Sequence, residues 1–238
     1  SVAVSPDGAT VYVATNDGTN DAILVLDAAD GSEITRFTGP SWTNYAFGLD
    51  VSADGSLVYA ASEDTDELMV FDSATGVVVD TVTTGYSPID VKVASDGRVH
   101  VLSRFGGQVD VFSGEPLSLE LSIPVTGNDL FGIAISPDGA TAYVSNAGGS
   151  VSVVDTVAGT ETDTFAVPSP TRGIAVSPDG SRVAVAAYTA NQLITFDTDT
   201  LVTETTSVDS AYAPAYAPDG SYLYVARFAG ALVDVFTA

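Results

Sequence analysis

The chain has 238 residues, no cysteine, one histidine and one lysine, and 31 Asp plus Glu stand against 7 Lys plus Arg for a formal net charge of −24. The missing thiols remove disulfide, thiolate and cysteine–metal chemistry, and so negative a chain repels phosphate backbones, which excludes nucleic acid as a partner. No apolar run reaches the 18 residues that a membrane-spanning helix needs.

The chain opens at Ser1 already inside a strand pattern, which reads as a mature or excised segment rather than a translation start. Short β-branched segments then alternate with Gly- and Asp-rich connections, and no helical apolar period competes with them. A turn phrase close to Ser-Pro-Asp-Gly recurs with its Asp at 7, 54, 96, 138, 179 and 219, at intervals of 47, 42, 42, 41 and 40 residues. In that turn Pro presets φ, Asp bonds its own backbone and Gly accepts positive φ. A period of about 40–45 residues with several strands per period is a propeller signature. The fourth repeat is the clearest, with strands FGIAIS, TAYVSN, SVSVVD and TETDTFAV.

The expected fold is therefore all-β: a six-bladed β-propeller of four-stranded antiparallel blades, as one domain over 1–238. The blades run approximately 1–39, 40–85, 86–126, 127–168, 169–209 and 210–238. The third blade has Ser95 in place of Pro and loses one residue between Asp96 and its second strand. The last blade stops after its third strand and lacks the outer one, which leaves Leu232–Phe236 as an apolar edge open to a strand donor.

Tyr12-Val13-Ala14-Thr15-Asn16 and Tyr143-Val144-Ser145-Asn146, with weaker echoes at 59–62 and 224–227, carry a further signal. They resemble YVTN-type β-propeller repeats of the lactonase-like and surface-layer propeller group. The resemblance spans the chain and implies the architecture, while members of that group serve as surface-layer modules, partner-binding domains and enzymes. It transfers no active site, because no His, Arg and carboxylate cluster falls on matching positions. Near-elimination of Lys beside abundant Asp, Thr, Ala and Val also resembles proteins of extreme halophiles.

Aligning the repeats on the turn Asp exposes the positions that break the pattern. Four residues before it come Ala3, Asp50, Lys92, Ala134, Ala175 and Ala215, a small set expected to face the axial channel while its branched neighbours pack between blades. Asp50 and Lys92 are expected to pair there, with Asp90 one layer away. Two carboxylates are too few for a Ca²⁺ site, and Asp17–Asp21 and Asp197–Asp199 lack the full spacing and terminal Glu of a calcium loop, so no metal is expected. Seven residues before the turn Asp come Phe47, Ile89, Phe131, Arg172 and Tyr212. The loops after the second strands should open beside them, where Arg104-Phe105-Gly106-Gly107 and Arg227-Phe228-Ala229-Gly230 read alike. Arg104, Arg172 and Arg227, with Phe105, Phe228, Phe47, Phe131 and Tyr212, form the candidate ligand or partner face. Arg forks framed by rings suit carboxylated sugars or acidic partner segments.

His100 stands where other repeats carry Tyr12, Tyr59, Tyr143 and Tyr224, so it reads as a packing residue, and one such His assembles neither a triad nor a multi-His metal site. The expectation is a noncatalytic extracellular or cell-surface propeller that binds protein or acidic glycan, with no catalytic residue and no cofactor. A lactonase-like hydrolase or lyase, and an assembly subunit completed by a donated strand, remain the alternatives.

Overall fold

A computed structural model describes residues 1–15, 22–38, 46–127, 129–168 and 170–238, with residues 46 and 47 described by backbone alone. Its strands form five four-stranded sheets and one three-stranded sheet, all antiparallel, and no helix occurs among the described residues. The first unit, Ser1–Ser122, carries the first three blades. These are β1 (Val2–Val4), β2 (Thr10–Thr15), β3 (Ala22–Asp27) and β4 (Glu33–Phe37); β5 (Ala46–Val51), β6 (Leu57–Ser62), β7 (Glu67–Asp72) and β8 (Val78–Thr83); and β9 (Pro88–Val93), β10 (Val99–Ser103), β11 (Gln108–Ser113) and β12 (Ser118–Pro124), whose last residues cross the unit boundary. The second unit, Ile123–Ala238, carries the rest. Its blades are β13 (Leu130–Ile135), β14 (Thr141–Asn146), β15 (Ser150–Asp155) and β16 (Thr160–Ala166); β17 (Thr171–Val176), β18 (Arg182–Ala187), β19 (Gln192–Asp197) and β20 (Thr203–Ser207); and β21 (Ala211–Tyr216), β22 (Tyr222–Arg227) and β23 (Val233–Thr237). The architecture is an all-β six-bladed β-propeller whose last blade has three strands.

The recurring turn follows from local chemistry. In the first blade Asp7 Oδ1 accepts bonds from the Ser5 hydroxyl at 2.5 Å and the Ala9 N–H at 3.0 Å, while the Ser5 N–H reaches the Thr10 carbonyl. Ser52/Asp54, Ser136/Asp138 and Ser177/Asp179 repeat the arrangement. These donors favour the ionised acid. Serine hydroxyls first, and backbone N–H groups next, bring Asp54 and Asp179 down to about 2. In the third blade the hairpin is one residue tighter, with Ala94 N–H bonded to the Arg98 carbonyl. The third-strand aspartates are spent in the same way: Asp72 accepts from the Thr75 N–H and hydroxyl, and Asp197 from those of Thr200.

Within each unit the apolar cores lie between consecutive blades. Ala3 and Tyr12 are cross-strand partners, and both pack with Leu49, Val58, Ala60 and Phe71 of the next blade. Ala134 and Tyr143 do the same against Ile174, Val183 and Phe196, with the Tyr143 and Phe196 rings 5.9 Å apart. Ala3 and Ala134 thus fill the core between blades instead of lining an axial channel, while Ala175 is half-buried and Ala215 is exposed. Within a unit each sheet stacks on its neighbour, so both faces set by strand alternation can meet another blade. Burying each of these Phe side chains contributes about 2–3 kcal/mol. β1 departs from the pattern: Val2 is 62% exposed, whereas its counterparts Leu49, Val91 and Ile133 are buried.

Candidate functional site

In the second unit the site grows from a backbone irregularity repeated in three blades. The ladder joining the first and second strands slips between Leu130 and Gly132, between Thr171 and Ile174, and between Ala211 and Ala213. Phe131, Arg172 and Tyr212 sit in these bulges, and a bulge frees its extra residue from the ladder and re-aims its side chain. Close approach of the strands brings the three together. A Cβ on Gly173 would lie 2.9 Å from Ala213 Cα, so only glycine lets β17 draw this near to β21. The Ser145 hydroxyl fixes the Arg172 carbonyl from the neighbouring blade at 2.5 Å.

The loops after the second strands add two more rings. Tyr188 N–H bonds to the Pro170 carbonyl at 3.0 Å and Phe228 N–H to the Ser210 carbonyl at 2.9 Å, which holds each loop beside the start of its innermost strand. The Arg172 guanidinium lies 4.4 Å from the Phe131 ring centroid. Phe131 meets Tyr212 edge-on at 6.2 Å, Tyr212 meets Phe228 at 5.4 Å, and Tyr188 contacts both Tyr212 at 6.2 Å and Phe228 at 5.5 Å. Four rings and one cation form a continuous cluster over three blades, with Phe228 65% exposed. Among the described residues no carboxylate pairs with Arg172, although Arg36, Lys92, Arg98, Arg182 and Arg227 all have one.

The other sequence-derived residues lie elsewhere. Arg227 turns to Asp209, with Nη2 to Oδ2 at 2.9 Å and Nε to the Asp209 carbonyl at 2.9 Å. It lines a groove of about 720 Å³ with Asn191, Asp209, Asp234 and Phe236. Arg104 stacks on Phe105 at 4.8 Å in the first unit, and Phe105 leans on Tyr86 at 6.2 Å. Phe47 lies at a ladder slip between Ala46 and Leu49, and its side chain falls outside the described atoms. Tyr188 was not singled out by sequence. Its signal was available, because it follows Asp179 at the same distance as Phe228 follows Asp219.

The charged trio of the first unit has a different geometry from the expected Asp50–Lys92 pair. Lys92 Nζ donates to Asp90 Oδ1 at 3.0 Å and to the Val91 carbonyl at 3.1 Å, whereas Asp50 Oδ2 accepts the Val93 N–H at 2.7 Å. Asp50 therefore pins the second blade to the third through the backbone. Burial pushes its carboxyl upward, against the pull of Lys92 and two N–H donors. Burial would lower Lys92, but the Asp90 and Asp50 charges outweigh it and raise the ammonium. His100 is fully buried opposite Lys92 in the ladder, and neither ring nitrogen finds a hydrogen-bond partner. Burial first, and the Arg98 charge second, bring its imidazole down to about 4. Among the described residues no group of three or more His, Cys, Asp or Glu side chains is arranged to hold a metal ion.

No protein-family model matches the chain. It is similar to the seven-bladed beta-propeller protein Rv1057 of Mycobacterium tuberculosis, with 26% identity over 272 aligned positions that cover 95% of this chain and 68% of the relative. Among solved structures it resembles Kuenenia stuttgartiensis hydrazine synthase, with a TM-score of 0.89 and 20% identity, covering 99% of this chain and 75% of that one. That likeness concerns the fold alone.

Proposed function

We propose that this chain is a noncatalytic binding propeller of the YVTN-type repeat group, working outside the cell or on its surface in a salt-rich setting and holding a protein or glycan. The observation that carries the reading is Arg172, a cation that no carboxylate pairs with among the described residues of a chain of net charge −24, resting on Phe131 at one end of a cluster of four aromatic rings. Exposed rings with one uncompensated charge are a recognition chemistry, since Tyr offers both an apolar body and a polar tip. A lactonase-like hydrolase draws no support from this geometry, because the sole histidine is sealed in a core and the turn aspartates are held by their own loops. The test is capture from a native surface extract by the wild type and by a Phe131→Ala, Arg172→Gln, Tyr212→Ala variant. A partner retained only by the wild type is expected; identical capture profiles reject the face.

A second reading, strand addition by another chain, is favoured by β23. Among the described residues it pairs with β22 alone, and Val233 and Val235 along it, with Leu232 just before it, are more than half exposed. Concentration-dependent mass measurement tests it, with self-association expected to protect the β23 amides from exchange.

A further inference from the structure

We propose that the Arg172 cluster recognises a glycan through a hexuronic acid residue, with one carboxylate against the guanidinium and the sugar's C–H face against the rings. The inference rests on the reading of this face as a binding surface and names its ligand class. Three observations carry it.

The first is the state of Arg172. Its guanidinium carbon lies over the Phe131 ring, 4.4 Å from the centroid, and a cation held by a ring face keeps guanidinium N–H donors for an acceptor. Its one side-chain bond, from Nη1 to the Thr171 carbonyl, is long at 3.5 Å. A carboxylate is the acceptor that matches such a fork.

The second is the set of rings. Phe228 is exposed, and Tyr188 and Tyr212, both half-buried, bring phenolic hydroxyls that donate and accept. A sugar presents what this surface needs, an apolar C–H face for the rings and hydroxyls around it for the phenols. A hydrocarbon would leave the phenols unsatisfied.

The third is the count of charges. Among the described residues the cluster holds one cation that no carboxylate pairs with, because Arg227 already has Asp209 and Asp234. On a chain of net charge −24 every further anionic group of a ligand meets repulsion. Acidic peptides with several carboxylates, phosphates and polyuronates are disfavoured, and a glycan with one uronate beside neutral sugars is favoured.

The experiment measures binding by amide shifts in the full chain, using a disaccharide of glucuronic acid and a neutral hexose, its neutral methyl ester, and a short acidic peptide, at about 0.15 M and about 1 M KCl. The wild type is expected to bind the acid disaccharide in the millimolar range, at least about ten-fold more tightly than the ester. Arg172→Gln should bind acid and ester alike, Arg172→Lys should fall between because it keeps the charge without the fork, and Tyr188→Ala should weaken both sugars about equally. A wild type that does not tell acid from ester, or an Arg172→Gln variant that still does, overturns the proposal. Arg172-dependent binding of the acidic peptide alone overturns the sugar and leaves the binding face standing. If no probe shifts amides near Arg172 and surface-extract capture also fails, both readings fall. Variants count only when amides remote from the cluster match the wild type.

Discussion

Arg104–Gly107 in the third blade and Arg227–Gly230 in the sixth share the order Arg, Phe, small, Gly, yet the fold uses them differently. Arg104 N–H bonds to the Ser87 carbonyl, and the matching bond in the sixth blade comes from Phe228, to the Ser210 carbonyl. The two phrases are thus one residue out of register, because the hairpin before β10 is one residue shorter. Arg227 occupies the end of its strand, as Ser103 does in the third blade, and from there it reaches Asp209. Phe228, in the position of Arg104, joins the aromatic cluster. Similar letters give similar sites only when counted from the same hydrogen bond.

The largest test of this contrast is Gly173→Ala. The added Cβ meets backbone at 2.9 Å, and overpacking should cost about 3 kcal/mol and part Arg172 from Tyr212. Ring-current shifts of Tyr212 and Phe228 should collapse while the Tyr86–Phe105 contact of the third blade keeps its own.

Next comes acid titration, which separates the third blade from the sixth through His100, whose register partner in the sixth blade is Tyr224. The unfolded chain takes up this proton near pH 6.5, and the folded imidazole only at about 4. Stability from this group is whole above pH 6.5 and is lost as pH falls through that window, by roughly 2–3 kcal/mol at pH 4. His100→Phe should flatten the slope in denaturant unfolding measured from pH 7 to 4. The turn acids Asp54 and Asp179 lose their contribution lower, between 3.8 and about 2.

Smaller effects follow at the rings. Phe228→Ala removes ring contacts to both Tyr188 and Tyr212 and should cost about 1 kcal/mol; Phe105→Ala loses one longer ring contact to Tyr86 together with the Arg104 guanidinium over its face, about 0.5 kcal/mol each. The smallest change is a Gly inserted after Gly97, which restores the common hairpin length. Loop entropy makes it worth less than about 0.6 kcal/mol, and the Arg104 amide should keep its hydrogen-exchange protection. A loss of that protection would mean that the extra residue slides the strand instead of being absorbed in the loop.

Much of the fold was legible because one turn chemistry recurs and each copy is satisfied locally, so counting residues located the strands. The cross-strand pairs Tyr12–Ala3, Tyr143–Ala134 and Tyr224–Ala215 fall where the repeat alignment puts them. Ala3 and Ala134 pack between blades and not toward a channel, because alternation says that two faces exist and not what each face meets. The site was legible in part. Phe131, Arg172, Tyr212 and Phe228 come together, but the bulges that aim the first three leave no trace in composition. Tyr188 carries no Arg-Phe phrase, and its equivalence to Phe228 shows only in the count from the turn Asp. Lys92 bonds to Asp90, on its own strand, while Asp50 accepts the Val93 N–H of the next blade.

The repeated bulge separates two jobs that most strand residues must do at once. Phe131, Arg172 and Tyr212 stand outside the ladder, so exchanging them rewrites what the surface displays while the scaffold's hydrogen bonds stay in place. Three such positions on successive blades amount to a short, editable text on a fixed page, and new specificities can be grafted onto this chain there first.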